Sequence, residues 1–134
     1  MLTISVVIPA YNSAPTIRST LDSVLPQLAA DDEVIVVNDG STDTTQSILD
    51  EYRDTHQVQC LVQENAGVSA ARNRGIRQAA GDYILFLDAD DQLMDNAIDR
   101  FRSYLAEHPE KQLVCAGHVT VDADGKRREH RPSV

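Results

Sequence analysis

Four short apolar runs, each followed by a polar loop and a stretch of helical period, set the limits on how this chain folds. Ile4–Ile8 has β-branched residues in four of its five positions, and the runs at 33–37, 58–62 and 83–87 are similarly apolar. That composition belongs to strands. Runs this continuous suit strands covered on both faces, the situation in a parallel sheet. Proline cannot donate to a sheet ladder, so Pro9 is expected to stop the first strand. Between the runs, Ile17, Leu21, Val24, Leu25 and Leu28 recur at helical spacing while Arg18, Ser19 and Asp22 face outward. This helix is predicted to start near Pro15 and to end or kink at Pro26. A second helix spans about 44–52, capped by Ser41 or Thr42. A third runs from Val68 to Ala80. Its small residues Ser69, Ala70, Ala71 and Gly75 let it lie close to the sheet or to a ligand. A fourth carries Ile98, Phe101 and Leu105 and ends at His108-Pro109. A fifth strand is expected over Gln112–Ala116 and a short one over Val119–Val121, with a turn at Asp124-Gly125. Strand and helix alternate four times, which predicts an α/β fold: a mostly parallel sheet flanked by helices, in one domain over 1–134.

Charge and cysteine content narrow the function classes. The formal net charge is −9 over 134 residues, which argues against nucleic acid or an anionic membrane as a general partner. The same field opposes a phosphate ligand unless a bound cation reverses it locally. Cys60 and Cys115 lie in apolar stretches without a CxxC pattern. They read as buried free thiols in a reducing compartment. No apolar run is long enough to span a membrane, and the first residues lack the features of a signal peptide. The expected location is cytoplasmic, with peripheral association at the inner membrane face in the full-length protein. The basic run Lys126–Arg131 reads as a solvated end, and the four histidines as surface residues.

The chemistry-bearing residues fall in the loops after the predicted strands. In an open α/β sheet these loops share the carboxyl edge, where ligands bind. After Tyr83–Leu87 come three carboxylates in four positions, Asp88, Asp90 and Asp91. Oxygen ligands gathered on a tight turn suit a hard cation such as Mg2+ or Mn2+. The competing structural role is a helix cap from Asp91 or Asp95. Tyr11, Asp39 and Arg72 reach the same edge. Each also has a plain structural role, as a packing residue, a turn former and one of several solvated cations. No Ser-His-Asp or Cys-His set is evident. The absence of GxGxxG and GxxxxGK[ST] counts against a dinucleotide dehydrogenase or a P-loop NTPase.

Four segments together carry a resemblance: Val6-Val7-Ile8-Pro9-Ala10-Tyr11-Asn12, Val37-Asn38-Asp39-Gly40-Ser41-Thr42-Asp43, Asn65-Ala66-Gly67-Val68-Ser69-Ala70-Ala71-Arg72-Asn73-Arg74-Gly75 and Leu87-Asp88-Ala89-Asp90-Asp91. In this order and spacing they resemble the family 2 glycosyltransferases of the GT-A fold. The family moves a sugar from a nucleotide diphosphate donor to an acceptor hydroxyl with inversion, often in polysaccharide biosynthesis. The resemblance implies a nucleotide-binding set of Pro9, Ala10, Tyr11, Asp39, Arg72 and Asp88. Tyr11 would lie against the base, Asp39 would hydrogen-bond it, and Arg72 would sit near base and phosphates. Asp88 and Asp90 match the DxD motif, which implies Mg2+ or Mn2+ bridging the diphosphate. The implied partners are a nucleotide-sugar donor, in most cases a UDP-sugar, and a saccharide or lipid-linked acceptor.

Inversion requires a general base, which the family places well downstream of DxD. Only 43 residues follow Asp91, and no Trp is present for the family's later aromatic elements. Asp122 and Asp124 come too early for the role, so no catalytic residue is assigned. The chain reads as the donor-binding half of a transferase. A second class is a non-catalytic nucleotide-binding module that self-associates through uncovered apolar surface. A nucleotidyltransferase is a third, opposed by the Asn-Asp-Gly-Ser segment through resemblance alone.

Overall fold

A computed structural model describes residues 1–132. The chain divides into two compact units, Met1–Tyr104 and a second that begins at Leu105. The first holds a four-stranded parallel sheet of β1 (Ile4–Ala10), β2 (Glu33–Asn38), β3 (Val58–Val62) and β4 (Tyr83–Phe86), in the order β3-β2-β1-β4. The connecting helices are α1 (Ile17–Val24), α2 (Thr45–Asp50) and α3 (Val68–Gln78), followed by α4 (Ala97–Glu107). No helix among the described residues is long and apolar enough to cross a membrane.

The alternation of side chains along each strand decides which helix covers which face. Ile4, Val6, Ile8 and Ala10 of β1 point to one side, with Val34, Val36 and Val58. There they bury Ile17, Leu21 and Val24 of α1, Leu49 of α2 and Ile98 of α4. The opposite face presents Ile35 and Val37 to Ala71 of α3. Chain direction along the sheet reverses after β3, and a constant right-handed crossover then sends α3 to the opposite side. The small residues of α3 serve the sheet: a Cβ on Gly75 would lie 2.3 Å from Cγ1 of Val7.

Several expectations are corrected. Pro9 does not stop β1, which runs on to Ala10. The Thr3, Val7 and Ala10 carbonyls show why: those of Thr3 and Val7 accept N–H groups of Tyr83 and Leu87, while that of Ala10 accepts the Asp39 N–H. Odd positions of β1 therefore face β4, and β4 has left the ladder before it reaches Pro9. The missing donor costs nothing there. Pro26 acts as expected, with α1 ending at Val24 and Leu25–Gln27 forming a 3-10 turn. Tyr83–Leu87 is not covered on both faces. β4 stands at the sheet edge, α3 lies over β1 and β2, and Phe86 is 46% exposed.

The second unit departs further from expectation. No strand forms at Gln112–Ala116, and Cys115 is exposed rather than buried. Cys60 is partly buried, and both thiols are free. The short strand at 119–121 does form, as part of β5 (His118–Val121). It pairs antiparallel with β6 (Arg127–His130), and the turn closes at Gly125, whose N–H donates to the Asp122 carbonyl. The basic run is therefore a strand, although an exposed one. Across the hairpin His118 and His130 stack with centroids 4.5 Å apart.

The close approach of α3 yields a stability test. Gly75→Ala should lower stability by about 1–3 kcal/mol through overpacking against Val7. Adding Val7→Ala should recover part of the loss, read from urea midpoints of the native chain and the two variants.

Candidate functional site

The parallel register brings the four β-to-α loops to one edge, and the acid turn there is held by its middle residue. Ala89 is 6% exposed. Its carbonyl accepts the hydroxyls of Thr16 at 2.8 Å and Thr20 at 2.9 Å. With Ala89 pinned inward, its neighbours Asp88 and Asp90 are left facing solvent. Asp91 N–H donates to the Asp88 carbonyl at 3.0 Å, which tightens the turn. Asp88, Asp90 and Asp91 each present a carboxylate oxygen within 4.8 Å of the others. α4 begins at Ala97, six residues beyond Asp91. Arg72 reaches over from α3, its Nη2 donating to Asp88 Oδ1 at 3.0 Å.

Asp39 occupies a different place from the acid turn. It is 3% exposed, and its carboxylate collects the loop that precedes α3. Oδ1 accepts Gln63 Nε2 and the Ala66 N–H, both at 2.8 Å. Oδ2 accepts the Gly67 N–H at 2.9 Å and Asn65 Nδ2 at 3.3 Å. The carboxylate thus gathers the N–H groups of Ala66 and Gly67, the two residues that lead into α3. Burial pushes the Asp39 carboxyl up, but the bonds from Gln63, Ala66 and Gly67 outweigh it and hold the group below its ordinary value. Gly40 beside it has φ +72°, and a Cβ there would lie 2.7 Å from the Asn65 nitrogen. The Asp39-Gly40 pair is therefore a turn former and also the anchor of a second loop.

The loops after β1 and β2 are laced together by Asn12. Its Oδ1 accepts the Thr42 N–H at 2.8 Å, and its N–H donates to Ser41 Oγ at 3.0 Å. Ser41 and Thr42 are engaged in this way instead of capping α2. The acceptor at that helix start is Asp43, whose Oδ1 takes the Thr45 N–H at 2.9 Å. Of the segment Pro9–Tyr11, Pro9 is buried and Ala10 places its methyl in the core. Tyr11 is the member that reaches solvent, at 51% exposure.

A parallel sheet with an acid turn and an arginine at its carboxyl edge is shared by many enzymes, and the comparisons decide among them. Residues 5–133 match the family model described as Glycosyl transferase family 2. The chain belongs to that family. Glycosyltransferase GlyA of Streptococcus pneumoniae is 38% identical over 106 residues, which is 78% of this chain and 15% of GlyA. The uncharacterized glycosyltransferase EpsJ of Bacillus subtilis is 37% identical over 131 residues, 96% of this chain and 37% of EpsJ. In three dimensions the chain is similar to Staphylococcus aureus TarS 1–349 in complex with UDP-GlcNAc. The TM-score is 0.72 at 32% identity, over 81% of this chain and 32% of TarS 1–349. It is also similar to the mannosyltransferase PcManGT of Pyrobaculum calidifontis in complex with GDP-Man and Mn2+. There the TM-score is 0.71 at 30% identity, over 77% of this chain and 32% of PcManGT. This family 2 chain has the GT-A architecture and spans between 15% and 37% of the length of these four proteins.

Within this glycosyltransferase fold, Tyr11, Asp39, Arg72, Asp88 and Asp90 are all expected at one edge; the structure joins Arg72 to Asp88, and gathers Asp88 with Asp90 and Asp91, while Asp39 serves the loop before α3. The sequence pattern gives no role to Asn12, Thr16, Thr20, Gln63 or Asn65. Thr16 just before α1 and Thr20 four residues on, the latter fully buried, are a signal, but one visible only once the helix face is known.

The Asp39 network generates a pH prediction. A carboxyl held below its ordinary value of 3.8 adds stability that is complete above that value and is lost as pH falls through the depressed one. Asp39→Asn should therefore be less stable than the native chain at pH 6, by about 2 kcal/mol for the lost charged hydrogen bonds. The gap should narrow as pH drops below about 3.8, measured by urea unfolding at pH 6 and pH 3.

Proposed function

We propose that the unit Met1–Tyr104 binds a nucleotide diphosphate sugar through a divalent cation, and that the protein transfers the sugar with inversion to an acceptor hydroxyl. The observation that carries this reading is the acid trio with its arginine: three carboxylate oxygens within 4.8 Å, and Arg72 on Asp88. The donor set fits Mg2+ or Mn2+, since it is all oxygen and exposed, leaving room for water and phosphate oxygens. Such an ion, when bound, neutralises charge developing on the departing diphosphate. Asp88, Asp90 and Asp91 would hold it. Arg72 supplies a second positive charge on the same side and a planar fork that matches phosphate geometry. Tyr11 is the exposed aromatic surface after β1 on which a base can stack. The complexes of TarS with UDP-GlcNAc and of PcManGT with GDP-Man and Mn2+ support a nucleotide-sugar donor with a metal, and a uracil base is our reading of the Asp39 loop.

The proposed role of Asp39 is tied to its loop. Its oxygens already serve Gln63, Asn65, Ala66 and Gly67. It can read a base only from within that network, so base recognition and loop position are one property. No general base is assigned: Asp122 Oδ1 accepts the N–H groups of Asp124 and Lys126, which makes it a turn residue of the hairpin.

Calorimetric titration tests the reading. UDP should bind in the presence of Mn2+ and at least tenfold more weakly without it, and Asp90→Asn should remove the metal effect. Binding indifferent to both would exclude a metal-held diphosphate.

One observation favours a second reading, a self-associating nucleotide-binding module. No strand pairs with the outer edge of β4 among the described residues, and Phe86 on that strand is 46% exposed. Open apolar edges invite pairing. Light scattering beside a donor-hydrolysis assay separates the two. A concentration-dependent dimer with no turnover supports the module, whereas donor turnover supports the transferase.

A further inference from the structure

Arg72 and Asp88 hold each other across the gap between α3 and the acid turn, Nη2 to Oδ1 at 3.0 Å. Their side chains are 38% and 53% exposed, so burial does not lock the pair. Yet Asp88 is also one of the three acids whose oxygens gather within 4.8 Å. These two engagements conflict. A guanidinium stays charged at every pH at which the protein folds. Seated on one oxygen of Asp88, it sets a full positive charge against any cation entering the trio.

Two further observations point to an exchange. Arg72 Nε is buried and has no hydrogen-bond partner among the described residues, so the fork is only partly used. An unmet donor is unfavourable and is relieved by an incoming acceptor. Arg74, one turn-fraction along the same helix, is committed to the Val62 carbonyl and does not compete for the acids.

We propose that Arg72 is a specificity-determining residue that makes the acid trio selective for a cation arriving with a diphosphate over the free cation. The proposal rests on the donor-site reading above. In the free protein Arg72 is the counter-ion of Asp88 and suppresses uptake of the metal alone. A diphosphate gives the guanidinium a bidentate partner that a single Asp88 oxygen does not match. Arg72 moves from carboxylate to phosphate, and Asp88 becomes available to the cation. Metal and nucleotide then raise each other's affinity by the same factor, as linkage demands.

The test follows Mn2+ binding by the loss of the free-ion electron paramagnetic resonance signal, using the full chain with and without saturating UDP. The native chain should take up Mn2+ weakly alone and more tightly with UDP. Arg72→Gln should bind Mn2+ alone about tenfold more tightly than the native chain, because a neighbouring positive charge is gone. Its gain on adding UDP should shrink. Arg72→Lys keeps the charge without the fork, and should stay near the native value without UDP while losing part of the gain. Suppose that UDP enhances Mn2+ binding in the native chain, but that Arg72→Gln binds Mn2+ alone no more tightly. The exchange is then wrong, and the donor site stands. If UDP gives no enhancement in the native chain, the donor-site reading fails and this proposal fails with it.

Discussion

β1 pairs in parallel on both sides, with β2 over Ser5–Ala10 and with β4 over Ile4–Val7. Every other feature of the first unit depends on that double pairing. It makes β1 buried along its whole length, which is why its residues are β-branched or small. It also fixes direction. Because the strands share one sense, the loops carrying Tyr11, Asp39 and the acid turn all leave from the same edge. A single antiparallel neighbour would have sent one of those loops to the far side.

The two edges of the sheet treat charge in opposite ways. At the amino edge, Arg102 of α4 meets Asp32 through Nη1 at 3.1 Å and Nη2 at 2.6 Å, with the acid side chain fully buried. Asp32 also accepts the N–H groups of Ile4 and Ala29. Burial alone would push the Asp32 carboxyl up, but Arg102 and those two N–H groups hold it down. Removing one partner of such a pair typically costs about 3–5 kcal/mol, since the other charge is left stranded. This pair fastens α4, the start of β1 and the approach to β2 in one place. At the carboxyl edge the acids remain exposed: the Ala89 carbonyl ties their turn to Thr16 and Thr20, and Arg72 meets Asp88 Oδ1 at 3.0 Å. Buried charge is placed at one end and exposed charge at the other.

Much of this was legible in the sequence. The four apolar runs gave strands close to those observed, β3 to the residue, because parallel strands buried by helices have little freedom in composition. The acid turn was legible as charge closing an apolar run, and Arg72 through the resemblance alone, since its helix also carries Arg74 and Arg77. Burial that depends on neighbours was not legible. Tyr83–Phe86 has the composition of a central strand but stands at an edge. Gln112–Ala116 is apolar and β-prone but forms no ladder, because propensity without a partner strand fixes nothing. Asp39 is a turn former to the eye, and only the fold reveals four donors converging on it. The Thr16–Thr20 pair was invisible for the same reason, since its acceptor lies about seventy residues away.

Pro9 deserves a second reading in light of where β4 ends. If the ladder between β1 and β4 continued past Val7 and Phe86, its next bond would need an N–H from Pro9, and there is none. The proline therefore acts on its neighbour as much as on its own strand. It withdraws the reward for zippering onward, and the ladder ends once the Leu87 N–H has met the Val7 carbonyl. A cleft at the edge of a parallel sheet can close simply by the strands growing longer. In this fold one missing hydrogen works as a doorstop.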